Sequence, residues 1–266
     1  MQSVFVFDES FEGLLSALFD AYTERRFPDA LHGPGAPLPL MPATIHRVAT
    51  ERGKAQRVFK ALRERISDEG LRDLMAAWLA EDPDAPLPLF RYLRKTFDGR
   101  RSLEHDLADP DVFTVTRLAR QVRQECHKLE GFVRFQECAD ATLFACIRPR
   151  HNVLPLLLPH FADRLAGERW MLYDAGRRIG VLHERGRFHD LFLDPDRAAA
   201  LAANGGRLPG EMLSENETLC AALWQTYFDA ATVKERINPR LQRRCMPSRF
   251  WPFLTEKQAP QRAGSR

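Results

Sequence analysis

The sequence predicts an α+β protein: a mostly helical N-terminal part, then an antiparallel sheet with a crossover helix and a long C-terminal helix. Three observations predict it. Apolar residues recur at helical spacing through most of the chain up to about residue 130. From there to about residue 193, short β-patterned runs alternate with the turn dipeptides Ala175-Gly176 and Arg185-Gly186. Strands and helices therefore come in blocks, the mark of this class. With 266 residues, 44% of them hydrophobic and 28% charged, the chain has enough material for a core and fits one large domain or two small ones.

The elements follow in order. Val4-Phe5-Val6-Phe7 reads as a short buried strand. Phe11, Leu14, Leu15, Leu18, Phe19 and Tyr22 predict a helix over 10–26. His32 to Pro39 is Gly/Pro-rich and reads as a loop, and 44–50 as a second strand. Helices are expected at 51–66, 68–80 and 87–97. The clearest helix covers 110–129, with Val115, Leu118, Val122, Cys126 and Leu129 on one side and Gly131 ending it. Strands are expected at 132–137, 142–148, 169–174, 178–184 and 188–193, with a crossover helix at 153–165. A loop near residue 204 precedes a long helix over 213–236. The expected division is a helical region 1–108, a mixed core 109–254, and a disordered tail 255–266 that lacks any apolar pattern.

Several functions are disfavoured at once. No apolar run approaches a bilayer span, and the N-terminus lacks the basic and small-residue features of a signal peptide, so a cytoplasmic protein is expected. The five cysteines, Cys126, Cys138, Cys146, Cys220 and Cys245, are odd in number and widely spaced, as reduced thiols would be. His183, Glu184, His189 and Asp190 are metal-ligand types, but alternation along a strand points neighbours to opposite faces. Neither a metal nor a cofactor is expected.

The charge is concentrated. Between Lys234 and Trp251 lie six basic residues and one acid, in a chain whose net charge is only +3. Basic side chains beside aromatic ones suit a polyanion with exposed rings. Lys234, Arg236, Arg240, Arg243, Arg244 and Arg249 are the candidate phosphate contacts there. Arg117 and Arg120 line the polar face of the 110–129 helix. Arg134 and Arg148, with Phe132 and Phe144, would flank a base-stacking surface if the two strands align.

Three blocks carry a family resemblance: His127-Lys128-Leu129-Glu130-Gly131-Phe132-Val133-Arg134-Phe135; Pro159-His160-Phe161-Ala162-Asp163-Arg164 followed by Trp170 and Tyr173-Asp174; and Lys234 to Gln242 followed by Met246 to Trp251. With the opening Val4 to Leu15, they resemble a bacterial family whose core is the domain of unknown function 4130. The resemblance implies a role in DNA metabolism or repair. It also implies genomic company with a radical SAM protein, and related domains fused to uracil-DNA glycosylase-like domains. It supplies no catalytic residues.

Two functional classes follow. The first is a DNA-binding accessory protein that holds nucleic acid through its arginines and acts with a radical SAM or glycosylase-type partner. The second is an enzyme acting on an extruded base, which needs a pocket and a general acid or base. His127 with Arg134, or His160 with Asp163, are its candidates.

Overall fold

Val4 and Phe5 are fully buried because the strand that carries them is central in a small parallel sheet. In the computed structural model, which describes residues 2–37, 42–99, 104 and 106–258, the chain divides into two units, Met1–Arg123 and Gln124–Arg266. The first unit holds this sheet, in the order β2-β1-β3: β1 is Gln2–Val6, β2 Ala30–His32 and β3 Ala43–Arg47. Val4 pairs with Ala30 on one side and Ile45 on the other. The sequence showed β1 and β3; β2 lies within a Gly/Pro-rich neighbourhood and was not expected.

α1 (Phe11–Thr23) joins β1 to β2 and buries Leu14, Leu15 and Leu18. Ser10 caps it, its Oγ accepting the Gly13 N–H at 2.9 Å. α2 (Arg52–Arg63) packs on α1. α3 (Asp68–Trp78) is capped by Ser67 in the same way. α4 (Pro86–Asp98) starts on a proline, whose missing N–H is no loss in a first turn, and buries Leu89, Phe90, Tyr92 and Leu93. α5 (Pro110–Phe132) buries Val112, Val115, Leu118, Ala119, Val122, Cys126 and Leu129, the stripe its spacing predicts.

The second unit contains a five-stranded sheet, β4-β5-β6-β7-β8. Its strands are β4 Gln136–Glu137, β5 Leu143–Ile147, β6 Trp170–Asp174, β7 Ile179–Glu184 and β8 Arg187–Leu191. β5 and β6 run parallel, joined by the crossover helix α6 (Leu154–Arg164); every other pairing is antiparallel. On one face Trp170 stacks on its cross-strand partner His183 with ring centroids 5.0 Å apart, and Phe161 of α6 meets Trp170 edge-on. On the other face Phe144, Cys146 and Tyr173 join Leu208, Leu213 and two residues of α7 (Pro195–Ala203), Ala198 and Leu201. Tyr173 lies over Gly180, its register partner; a Cβ at Gly180 would stand 2.8 Å from that ring. α8 (Glu217–Ala230) and α9 (Pro239–Cys245) follow, with 3-10 turns at Lys234–Arg236, Ser248–Phe253 and Thr255–Lys257.

Three expectations need correction. α5 does not stop at Gly131; Val133 N–H still donates to Leu129 O, so the expected strand 132–137 shrinks to Gln136–Glu137. The single helix expected over 213–236 breaks after Ala230, where Val233 takes an extended backbone with ψ 108°. The expected tail is structured at its start: Thr255–Lys257 forms a turn whose Glu256 side chain is 1% exposed. Residues 259–266 of that tail lie outside the described residues.

Candidate nucleic-acid interface

The basic segment leaves α8 through one 3-10 turn and then re-forms a helix. Asn238 caps α9, its Oδ1 accepting the Leu241 N–H at 3.0 Å, and Pro239 takes the first helical position. Arg240, Arg243 and Arg244 therefore share one face at steps of three and four. They are exposed, as are Lys234 and Arg236 on the preceding turn. Among the described residues none of these five pairs with a carboxylate; Arg243 Nε donates only to the Pro239 carbonyl of its own helix, at 3.2 Å.

Two other candidate arginines of the same unit behave differently. Arg134 donates through Nε and Nη2 to the two oxygens of Glu256, at 3.2 and 2.8 Å, and its guanidinium lies 5.2 Å from the Trp224 ring. Arg249 donates to Glu125 at 2.9 Å and covers Phe250. Glu125 is itself only 3% exposed and also accepts the Arg150 and His151 N–H groups. These two cations hold the fold together, and a phosphate would have to displace buried carboxylates to reach them. They leave the candidate set. Arg148, just after β5, is exposed. Arg117 and Arg120 are exposed on α5 and belong to the first unit, so they are counted separately from the basic segment.

The expected stacking surface does not form. Phe132 ends α5 and packs on Phe250 at 6.0 Å, whereas Phe144 is buried in the core on the α7 side of the sheet. The histidines are equally scattered. His127 is 88% exposed, its Nδ1 3.2 Å from Glu130. His160 lies on α6 with its ring against Phe161 at 5.0 Å and its Nε2 without a partner, while Asp163 one turn on is exposed. His183 is buried beneath Trp170, and His189 and Asp190 are exposed on β8. Among the described residues no three His, Cys, Asp or Glu side chains are grouped to hold a metal ion. No helix there is long and apolar enough to cross a membrane.

Sequence reasoning missed a polar cleft under α8. Gln136 closes one wall: its Nε2 donates to Gly206 O at 2.9 Å and its Oε1 accepts the Leu208 N–H at 3.0 Å. Arg134, Arg207, Glu217, Gln225 and Gln258 line the rest. Burial raises the Glu217 carboxyl above the usual glutamate value, against a hydrogen bond from the Glu137 N–H. Burial also pushes the Cys146 thiol up to about 12. The cavity measures about 80 Å³, space for a few waters rather than a nucleobase-sized ligand. Its residues come from five separate stretches of chain, so no local spacing announces it.

No curated protein and no solved structure matches the chain. One family model does, over residues 83–256, which takes in α4 to the Glu256 that anchors α8, and on that match the chain belongs to the family of the domain of unknown function DUF4130.

Proposed function

We propose that this is a cytoplasmic DNA-binding accessory protein of DNA repair or modification. It holds nucleic acid through the segment Lys234–Arg244 and presents it to a partner enzyme of radical SAM or glycosylase type. One observation carries the reading. Among the described residues five cations within eleven positions stand exposed without a carboxylate, a denser grouping than other exposed and unpaired arginines of the unit such as Arg148, Arg178, Arg185 and Arg187, whereas Arg134, Arg169, Arg177, Arg197 and Arg249 are each paired with one. Unpaired guanidinium groups at an exposed surface keep their full attraction for phosphate and release condensed counterions on binding. Arg240, Arg243 and Arg244, side by side on α9, match the spread of a phosphate backbone better than isolated charges would. The partner's class comes from the family resemblance, which also motivates DNA over other polyanions.

The reading of an enzyme acting on an extruded base gains less support. His127 stands in solvent with Glu130 as its neighbour, and the cleft that contains Arg134 is too small for a base.

The test is fluorescence anisotropy with labelled single- and double-stranded DNA over a salt series. The triple variant R240A/R243A/R244A should bind more weakly, and its plot of log affinity against log salt should lose about 2.7 of its slope on duplex, 0.9 for each phosphate contact. No affinity at low salt, or a triple variant with an unchanged slope, refutes the proposal.

A further inference from the structure

The first unit treats the cations of one helix in two different ways. α2 carries Arg52, Lys54, Arg57, Lys60 and Arg63. Two of them are engaged: Lys54 bridges Asp20 and Glu51 at 2.9 and 2.7 Å, and the Arg57 guanidinium covers the Phe19 ring at 5.4 Å. The other three are exposed, and among the described residues they pair with no carboxylate and cover no ring. With Gln56 and Phe59, these three share one sector of the helix about 100° wide, and Lys54 and Arg57 lie outside it.

That sector faces a cavity of about 700 Å³ between α1, α2 and α3, a size typical of ligand sites. The floor is apolar: Phe11, Leu15, Ala55, Phe59 and Met75. Phe11 packs on Trp78 with ring centroids 5.4 Å apart, whereas Phe59 has no ring partner among the described residues. The cations left without a partner are thus the ones that rim this cavity. Glu12 and Glu64 share the rim, so three positive charges meet two negative ones there. The two signs are separated in space. The cations run along α2, while Glu12 stands on the first turn of α1 and Glu64 just past the end of α2.

We propose that this cavity is a second nucleic-acid site, one that takes unstacked bases of single-stranded DNA. It rests on the DNA reading above and gives it a strand preference. Arg52, Lys60 and Arg63 span about 16 Å of helix, a row that meets successive phosphates. The Phe59 ring, beside that row and without a ring of its own to pack on, receives a base face. A basic row next to an aromatic floor is the combination by which proteins hold single strands without reading their sequence. Gln56 sits between the cations, and its amide serves the polar edge of a base. Glu12, on the opposite wall, accepts from an exocyclic amino group and leaves the phosphates on the α2 side. A duplex reaches the cations but keeps its bases stacked away from the floor. The described lining holds no histidine or cysteine, in keeping with a site that binds rather than reacts.

The test uses the full chain, a labelled oligo-dT and a duplex of the same length. Phe59→Ala should weaken oligo-dT binding by about 5–150-fold, the worth of one stacked base, and leave duplex affinity nearly unchanged; Phe59→Trp should restore it. K60A/R63A, which alters only exposed side chains, should lower the single-strand salt slope by about 1.4, 0.7 for each phosphate contact. Circular dichroism of each variant should match the parent. An oligo-dT carrying iododeoxyuridine should cross-link under ultraviolet light to the peptide that contains Phe59. The two sites fail separately. Oligo-dT binding that responds to R240A/R243A/R244A but ignores Phe59→Ala and K60A/R63A overturns this proposal and leaves the α9 segment standing. The reverse pattern supports this site and removes α9. Equal losses on duplex and single strand in Phe59→Ala also overturn it, as does a cross-link confined to other peptides.

Discussion

Replacing Glu256 with alanine should loosen α8 from the rest of its unit. The carboxylate sits at 1% exposure and accepts three hydrogen bonds: two from Arg134, at 3.2 and 2.8 Å, and one from Trp224 Nε1 at 2.9 Å. Taking one partner out of a buried ion pair generally costs about 3–5 kcal/mol. Two features reduce that here. Arg134 is 22% exposed, and it keeps the Gly131 and Val133 carbonyls, at 2.8 and 3.3 Å, so it is not stranded. A loss of about 2–3 kcal/mol is therefore expected, read by urea unfolding of the full chain and by faster amide exchange within 217–230. Glu256→Gln, which can still accept from Trp224, should lose less. The pH dependence has a definite sign. Burial alone would raise the Glu256 carboxyl, but the Arg134 and Trp224 hydrogen bonds outweigh it and hold it below the ordinary 4.5. The contribution is therefore fully present above pH 4.5 and declines as the pH falls through the lowered value. A change below about 0.5 kcal/mol in Glu256→Ala with unaltered exchange in α8 would refute the account of how this helix is held.

Further outcomes follow from the same geometry. Glu125→Ala removes the acceptor of the Arg150 and His151 N–H groups and of Arg249, so stability should fall by about 3 kcal/mol in chemical denaturation, with Glu125→Gln recovering part of it. Gly206→Ala should cost about 2–4 kcal/mol, because φ is +79° and a Cβ would meet Cys146 and Phe253 at 2.8 Å; a stability within error of the parent would contradict the packing there. Burial pushes Cys126 and Cys146 up to about 12 and Cys138 up to about 11, whereas Cys220 and Cys245 are exposed. A thiol reagent at pH 8 should thus modify two cysteines quickly in the native protein and all five in denaturant.

The elements most legible in the sequence were those whose pattern matched one burial geometry. α5 repeats its apolar stripe over several turns, and β6 to β8 are punctuated by Ala175-Gly176 and Arg185-Gly186, so both followed from spacing alone. β2 failed because three half-buried residues, Ala30 to His32, carry too little signal against the Gly/Pro run beside them. α7 was missed although it has the Asp194 cap and Pro195 start of a well-formed helix. The long-helix expectation overran because Thr232-Val233 continue the apolar character of α8 while their β-branched side chains suit an extended backbone. For the site, sequence could show that the Lys234–Arg244 cations are numerous, but not which arginines are engaged. Arg134 and Glu256 are separated by 122 positions, and Arg249 and Glu125 by 124, so their pairing is a product of the fold.

The strand order also has a consequence for solubility. Among the described residues β8 is the last strand at its end of the sheet and has neighbours on one side only, which leaves main-chain donors and acceptors facing outward along Arg187–Leu191. Such a rim invites another molecule to add a strand and seed a growing ribbon. Here it is studded with Arg187, His189 and Asp190, preceded by Arg185, all in solvent. The opposite rim, β4, is just two residues long. Neutralising Arg185 and Arg187 together would strip this guard, and the first symptom would be precipitation on concentrating the protein rather than a lower melting point.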